Sequence, residues 1–130
     1  MSHAPHDERA AAILRRRASG LLAVDDALTE LADADCAAAI AGMIAERVSL
    51  AADMVSRALD AESDEAISVI CRAAGFRINS YSALLRMRRR RNRGTESAPA
   101  YALMFFSDLS PASAERLLPR MVAELGARQT

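Results

Sequence analysis

The sequence predicts an all-α domain built from stacked antiparallel helical hairpins. Alanine supplies 29 of the 130 residues, whereas aromatic residues make up only 4%. Such a composition has too few β-branched and aromatic residues for an ordinary sheet protein. Apolar residues also recur at the i, i+3, i+4 and i+7 spacing of a helix face. We therefore expect seven or eight short helices in a single domain at residues 9–130, preceded by a flexible tail at residues 1–8.

Four helices are predicted in the first half of the chain. They are expected at about residues 7–19, 24–32, 36–47 and 50–59. Gly20 is placed to end the first helix, because glycine readily adopts the left-handed backbone that follows many helices. Asp33 and Asp35 are the predicted N-caps of the third helix and Ser49 that of the fourth, since short polar side chains accept hydrogen bonds from free backbone N–H groups.

The fifth and sixth helices are predicted from caps and stops of the same kind. Ser63 is the expected cap of the fifth helix and Gly75 its stop, and the sixth begins at Asn79 or Ser80. Residues 91–98 are predicted to form a loop, because glycine, threonine, serine and proline lie close together there.

Prolines mark the last two predicted helices. Pro99 and Pro111 suit a first helical turn, and Ser110 is the expected cap in front of the second of them. Pro119 falls inside the last helix and is expected to bend it, because proline has no N–H to donate. Gly126 is the predicted end of that helix.

The stretch from residue 66 to residue 87 reads A-I-S-V-I-C-R-A-A-G-F-R-I-N-S-Y-S-A-L-L-R-M. It resembles the C-terminal region of an alphaproteobacterial family of uncharacterised HEAT-like helical-repeat proteins. The similar features are the isoleucine–cysteine–arginine–alanine–alanine–glycine turn at residues 70–75 and the following helix with Leu84, Leu85 and Arg86. The resemblance implies stacked helical hairpins and an interaction role, and it carries over no catalytic residues.

The formal charge of zero conceals a strong segregation of charge along the chain. Residues 21–65 carry two arginines and eleven acidic residues, a balance of −9. Residues 66–93 carry eight arginines and no acidic residue, a balance of +8. The arginines are densest at the end of the sixth helix, and we name them the arginine run: Arg86, Arg88, Arg89, Arg90, Arg91 and Arg93.

Two interpretations of the arginine run are open. In the first, the arginines form a solvated helix end that neutralises the protein's own acidic helices. Their positive charges also interact favourably with the negative end of the helix dipole. In the second, they form a docking patch for an acidic protein partner or for phosphates, because the guanidinium pairs with either through two hydrogen bonds. The arginine run is therefore the predicted partner-binding site.

Two alternatives to binding of a protein partner are open. Residues 67–84 fit a helix-turn-helix template whose recognition helix would offer Asn79, Ser80 and Ser82 to nucleic acid. However, any two amphipathic helices joined by a glycine turn fit that template, and zero net charge argues against a dedicated nucleic-acid binder. The other alternative is a homo-oligomer, in which the acidic helices of one copy meet the arginine-rich helix of another.

Catalysis, metal binding and cofactor binding are not predicted. The sequence has no glycine-rich phosphate loop and no nucleophile elbow, and both histidines, His3 and His6, fall in the expected tail. Cys36 and Cys71 lie in apolar helical patterns and are expected to be buried, reduced thiols. The sequence shows no signal peptide and no long apolar span, which predicts a cytoplasmic protein without membrane contact.

The leading prediction is a non-enzymatic protein-interaction or regulatory module that binds through a charged surface. A second candidate feature is the aromatic cluster of Tyr101, Phe105 and Phe106, which follows the predicted loop. Core packing is the default expectation for these rings, and an exposed groove for a partner is the alternative.

Overall fold

The computed structural model describes residues 4–91 and 99–127, and within them the chain forms eight α-helices and no strand. The all-α prediction is therefore confirmed. The helices are α1 (Ala4–Ala18), α2 (Val24–Asp33), α3 (Ala37–Val48), α4 (Ala52–Asp60), α5 (Glu65–Ala73), α6 (Ile78–Arg90), α7 (Pro99–Asp108) and α8 (Pro111–Ala127).

The ends of α1 and α5 follow the prediction. Gly20 and Gly75 have left-handed backbone angles, with φ of 82° and 86°. The N–H of Leu21 then donates to the Arg16 carbonyl at 2.8 Å, and that of Phe76 to the Cys71 carbonyl at 3.1 Å. This geometry satisfies carbonyls that the helix leaves without a partner and turns the chain sharply.

The predicted roles of Asp33, Asp35 and Ser49 as N-caps are wrong. Asp33 is the last residue of α2. Asp35 and Ser49 have φ of 58° and 56°, so each occupies the left-handed position after the preceding helix. In each case the next residue donates its N–H to the carbonyl five residues before it, at 2.9 Å and 3.2 Å, as it does after Gly20 and Gly75. Helices α2 and α3 thus use aspartate and serine where glycine is the usual choice.

The predicted cap Ser110 is confirmed, whereas the N-cap of α5 is Asp64 and Ser63 lies one residue before it. The Ser63 hydroxyl accepts from the N–H of Glu65 at 3.1 Å, and the Ser110 hydroxyl accepts from the N–H of Ser113 at 3.1 Å. Both serines therefore supply an acceptor to a backbone donor that the helix itself cannot satisfy.

Three boundaries differ from the prediction. Helix α1 begins at Ala4, so residues 4–8 are helical rather than part of a tail; Asp7 lies in its first turn, where a negative charge stabilises the helix dipole. Helix α8 runs through Pro119 and Gly126 to Ala127. Of the predicted loop, Arg91 follows α6 directly, and residues 92–98 lie outside the described residues.

Helix α6 contributes heavily to the core. It packs most extensively against α2, while α5 packs against α8 and α3 against α4. Seven of its 13 residues are buried. Its Tyr81 ring stacks on Phe106 of α7 at a centroid distance of 4.3 Å. The main helix contacts therefore join elements distant in the sequence as well as consecutive pairs.

Candidate functional site

The arginine run occupies the C-terminal half of α6 and divides into inner and outer side chains. Arg86, Arg90 and Arg91 are exposed and Arg89 is half-buried, whereas Arg88 is completely buried. Arg93 lies outside the described residues. The run is therefore not one continuous basic surface.

The prediction that every arginine of the run is available to a partner is wrong for Arg88, which is buried. Its five N–H groups donate to the Asp64 carboxylate and to the carbonyls of Ala58, Leu59, Ala61 and Ser63. The Nε–Oδ1 distance to Asp64 is 3.0 Å, and the Nη2 distance to the Ala61 oxygen is 2.9 Å. A guanidinium has five donors in all, so Arg88 is fully used inside the fold. It holds the end of α4 and the connection to α5.

The remaining arginines of the run that the structure describes meet acidic residues of the same chain. The pairs are Arg86–Asp33 at 4.0 Å, Arg89–Asp64 at 3.4 Å, Arg90–Asp35 at 2.9 Å and Arg91–Asp60 at 3.7 Å. Arg90 also donates to the Ala32 carbonyl at 2.7 Å. The arginine-rich segment therefore neutralises the acidic segment within one molecule, as the first interpretation of the run expects.

The residues proposed for nucleic-acid contact are divided in the same way. Asn79 is exposed and Ser82 is half-buried. Ser80 is buried, and its hydroxyl donates to Asp25 Oδ1 at 2.5 Å, so it is not presented to a ligand. The same Asp25 oxygen accepts from the N–H of Arg77 at 2.8 Å. A carboxylate of α2 therefore caps the start of α6 and would repel a phosphate there.

A groove lies between α6 and α7, on the outer side of the arginine run. Its volume is about 320 Å³. The described residues that line it are Ser82, Leu85, Arg86, Arg89, Arg90 and Leu103. We name it the α6–α7 groove. It combines an apolar floor with three guanidinium groups, and none of these lining residues is acidic.

Helix α7 is apolar on most of its surface and is only partly covered by the fold. Phe106 is buried and Phe105 is half-buried, whereas Tyr101 and Met104 are 66% and 63% exposed. The predicted aromatic cluster thus contributes to the core through Phe106 and to the surface through Tyr101. The exposure of Met104 and the position of Leu103 in the groove were not predicted from the sequence.

A second cavity, of about 420 Å³, lies on the other side of α7. Its described lining comprises Ser63, Asp64, Glu65, Ser68, Tyr101, Ala102 and Phe105. Asp64 is already engaged by Arg88 and Arg89, and the Ser68 hydroxyl by Tyr81 and the Asp64 carbonyl. Most of the polar lining of this cavity therefore supports the fold.

Two buried thiols and one buried phenol favour their neutral forms. Burial raises the pKa of the Cys71 thiol and of the Tyr81 hydroxyl. Burial also raises the pKa of Cys36, and both cysteines lie in buried positions. A raised pKa lowers the fraction of reactive thiolate, so neither cysteine has the character of a nucleophile.

Neither a metal-binding cluster nor a membrane-spanning helix is present among the described residues. They contain no group of three or more histidine, cysteine, aspartate or glutamate side chains placed to hold a metal ion. They also contain no helix with the length and apolar character needed to cross a membrane.

Comparison of the chain with protein-family models, curated proteins and solved structures gives no match. The resemblance to HEAT-like repeat proteins therefore remains a prediction.

Proposed function

We propose that this chain is a non-enzymatic protein-interaction module that binds through the outward side of α7 and the neighbouring arginines of α6. The exposure of Tyr101 and Met104 carries the proposal. They lie three residues apart, on one side of α7, and each leaves about two thirds of its surface in water. Tyrosine, methionine and arginine are all enriched at protein interfaces. Exposed apolar residues next to such groups are typical of a contact surface.

Arg86 and Arg90, which we call the outer arginines, can exchange their acidic ion-pair partners for those of another protein. Arg86 and Arg90 pair with Asp33 and Asp35 on the surface, and all four side chains are more than 40% exposed. Exposed ion pairs contribute only about 0–1 kcal/mol each. An acidic group of a partner can therefore replace Asp33 or Asp35 at little cost.

Affinity capture from extracts of the producing cells tests the proposal. The bait is the full chain, and the variant carries Tyr101→Ser and Met104→Ser. We expect at least one protein to be retained by the wild type and reduced about tenfold or more on the double variant, as for loss of interface hot spots. Quantitative mass spectrometry of the retained proteins measures the effect.

The matched control is Leu21→Ser. Leu21 is 77% exposed and lies between α1 and α2, neither of which is among the main packing partners of α7. It should retain the same proteins as the wild type. A protein set that is identical for the wild type and the Tyr101→Ser, Met104→Ser variant, with both folded by circular dichroism, would contradict the proposal.

A further inference from the structure

We infer that the α6–α7 groove binds a peptide segment that carries one large apolar side chain flanked by carboxylates. The inference deepens the proposed function and depends on it, because it names the kind of partner segment that the α6 arginines of the proposed contact surface would take beside α7. The occupant would be part of an acidic protein partner, with its apolar side chain as the anchor.

The floor of the groove is apolar and therefore suits an apolar anchor. Leu85 of α6 is nearly buried, and Leu103 of α7 is half-buried on the opposite side. A volume of about 320 Å³ leaves room for a leucine, methionine or phenylalanine side chain between them. Removing such a side chain from water is favourable in proportion to its apolar area, and anchors of this kind dominate many interfaces.

The rim of the groove is lined by arginines and therefore suits negative charge around that anchor. Arg86, Arg89 and Arg90 line it, and its only other polar lining residue among those described is Ser82. Two of the guanidiniums are already held in place: Arg86 donates to the Ser82 hydroxyl at 3.2 Å and Arg90 to the Ala32 carbonyl at 2.7 Å. Arginines held in this way lose less conformational freedom when they bind a carboxylate.

The surroundings favour a peptide over nucleic acid. Asp33 at the end of α2 and Asp35 just after it lie beside Arg86 and Arg90, and Asp25 of α2 contacts the start of α6. A phosphate chain that followed α6 would meet these carboxylates, whereas nucleic-acid binding depends on extended phosphate neutralisation. The apolar floor also offers nothing to a phosphate. A short segment with two or three carboxylates fits within the rim.

Selection from a phage-displayed library of short random peptides tests the inference. The full chain is the target, and the Arg86→Gln, Arg90→Gln double variant is used for counter-selection. We expect enrichment of peptides with one leucine, methionine or phenylalanine between aspartates or glutamates. The dissociation constant of a labelled selected peptide should rise about tenfold or more in the double variant and in Leu103→Gln.

Controls separate this result from general charge attraction. The double variant Arg116→Gln, Arg120→Gln removes the same charge from the exposed side of α8 and should bind the peptide like the wild type. Replacing the peptide's apolar residue with serine should abolish binding. Equal binding by the Arg86→Gln, Arg90→Gln variant, or by the serine peptide, would overturn the inference. So would tighter binding of a labelled DNA duplex than of any peptide.

The two proposals can fail separately. If extracts yield a protein retained through Tyr101 and Met104 but no acidic peptide is selected, the inference about the groove is wrong and the proposed function stands. If selected peptides bind at the groove but no protein is retained through Tyr101 and Met104, the proposed contact surface on α7 is wrong.

Discussion

Single residues decide which part of the arginine run belongs to the fold. Arg88 lies four residues after Leu84 and seven after Tyr81, so it continues the buried stripe of α6. The helical spacing was therefore a signal that Arg88 points inward. The composition of the run concealed it, because a run of arginines is expected in water. Its acceptors on α4 and the following connection become evident only from the tertiary contacts.

Replacing Arg88 with methionine should strongly destabilise the protein. The substitution leaves Asp64 and several backbone carbonyls in the interior without the five hydrogen bonds that Arg88 gives them. Breaking one partner of a buried ion pair costs about 3–5 kcal/mol. Urea denaturation followed by circular dichroism measures the free energy of unfolding. Arg86→Met, in the same run but exposed, should change it by about 1 kcal/mol or less.

The buried Tyr81 should make stability fall in alkali. Burial raises the pKa of Tyr81, so the unfolded chain releases this proton at a lower pH than the folded protein does. The contribution is complete below the unfolded pKa of about 10 and decreases above it, by about 1.4 kcal/mol per pH unit. Denaturation between neutral pH and pH ~11 measures this slope. Tyr81→Phe should reduce it, whereas Tyr101→Phe at an exposed tyrosine should leave it unchanged.

At the scale of the helices, the sequence predicts the presence of each helix better than the residues at which it begins and ends. All eight helices lie close to their expected positions, and Gly20, Gly75 and Ser110 act as predicted. The error at Ser49 has a physical reason, because short polar residues serve both as N-caps and as left-handed residues after a helix. Which role is taken depends on how far α3 extends, and tertiary packing determines that.

Ser49→Gly should stabilise the protein. Ser49 has a φ of 56°, where the β-carbon of an L-residue is strained and glycine is not. Relief of this strain exceeds the extra entropy of glycine in the unfolded chain, so we expect a gain of about 0.5–1 kcal/mol. Thermal denaturation measures it. Ser49→Ala keeps the β-carbon and should show no gain; equal stabilisation by both variants would contradict the explanation.

Asp25→Ala should weaken the start of α6. The Asp25 carboxylate accepts from the Arg77 N–H and the Ser80 hydroxyl, although 52 and 55 residues separate them along the chain. Loss of a helix cap costs about 0.5–2 kcal/mol. Asp26→Ala is the control, because Asp26 shares the first turn of α2 and is exposed. Equal losses of unfolding free energy in the two variants would show that Asp25 acts only through the dipole of α2.

At the scale of the whole molecule, the segregated charges of the sequence become neighbours. Packing of α6 against α2 brings Arg86 and Arg90 to Asp33 and Asp35, while Arg88 meets Asp64. The sequence located the arginine run but not these pairs, since pairing depends on which helices pack together. The candidate site was likewise predicted only in part. Its apolar half comes from α7, whose residues were expected mainly in the core.

The internal pairing of charges predicts a stability that falls with salt. Arg86–Asp33, Arg90–Asp35 and Arg91–Asp60 are exposed pairs between the acidic and the arginine-rich segments, so dissolved ions screen them. Since exposed pairs contribute about 0–1 kcal/mol each, the free energy of unfolding should decrease by about 1–2 kcal/mol between low and high sodium chloride. Urea denaturation at a series of salt concentrations measures the decrease.

The triple variant Arg86→Gln, Arg90→Gln, Arg91→Gln identifies the pairs responsible for this salt dependence. It removes all three exposed pairs and keeps Arg88–Asp64, whose side chains are nearly excluded from solvent and therefore weakly screened. The variant should be less stable than the wild type at low salt and close to it at high salt. The wild-type stability could prove independent of salt, or the variant could keep the full salt dependence of the wild type. Either result would mean that these pairs do not hold α6 to the acidic helices. The arginine run would then contribute to the fold through Arg88 and Arg89, which pair with Asp64, and Arg86, Arg90 and Arg91 would be available for a partner at little cost in stability.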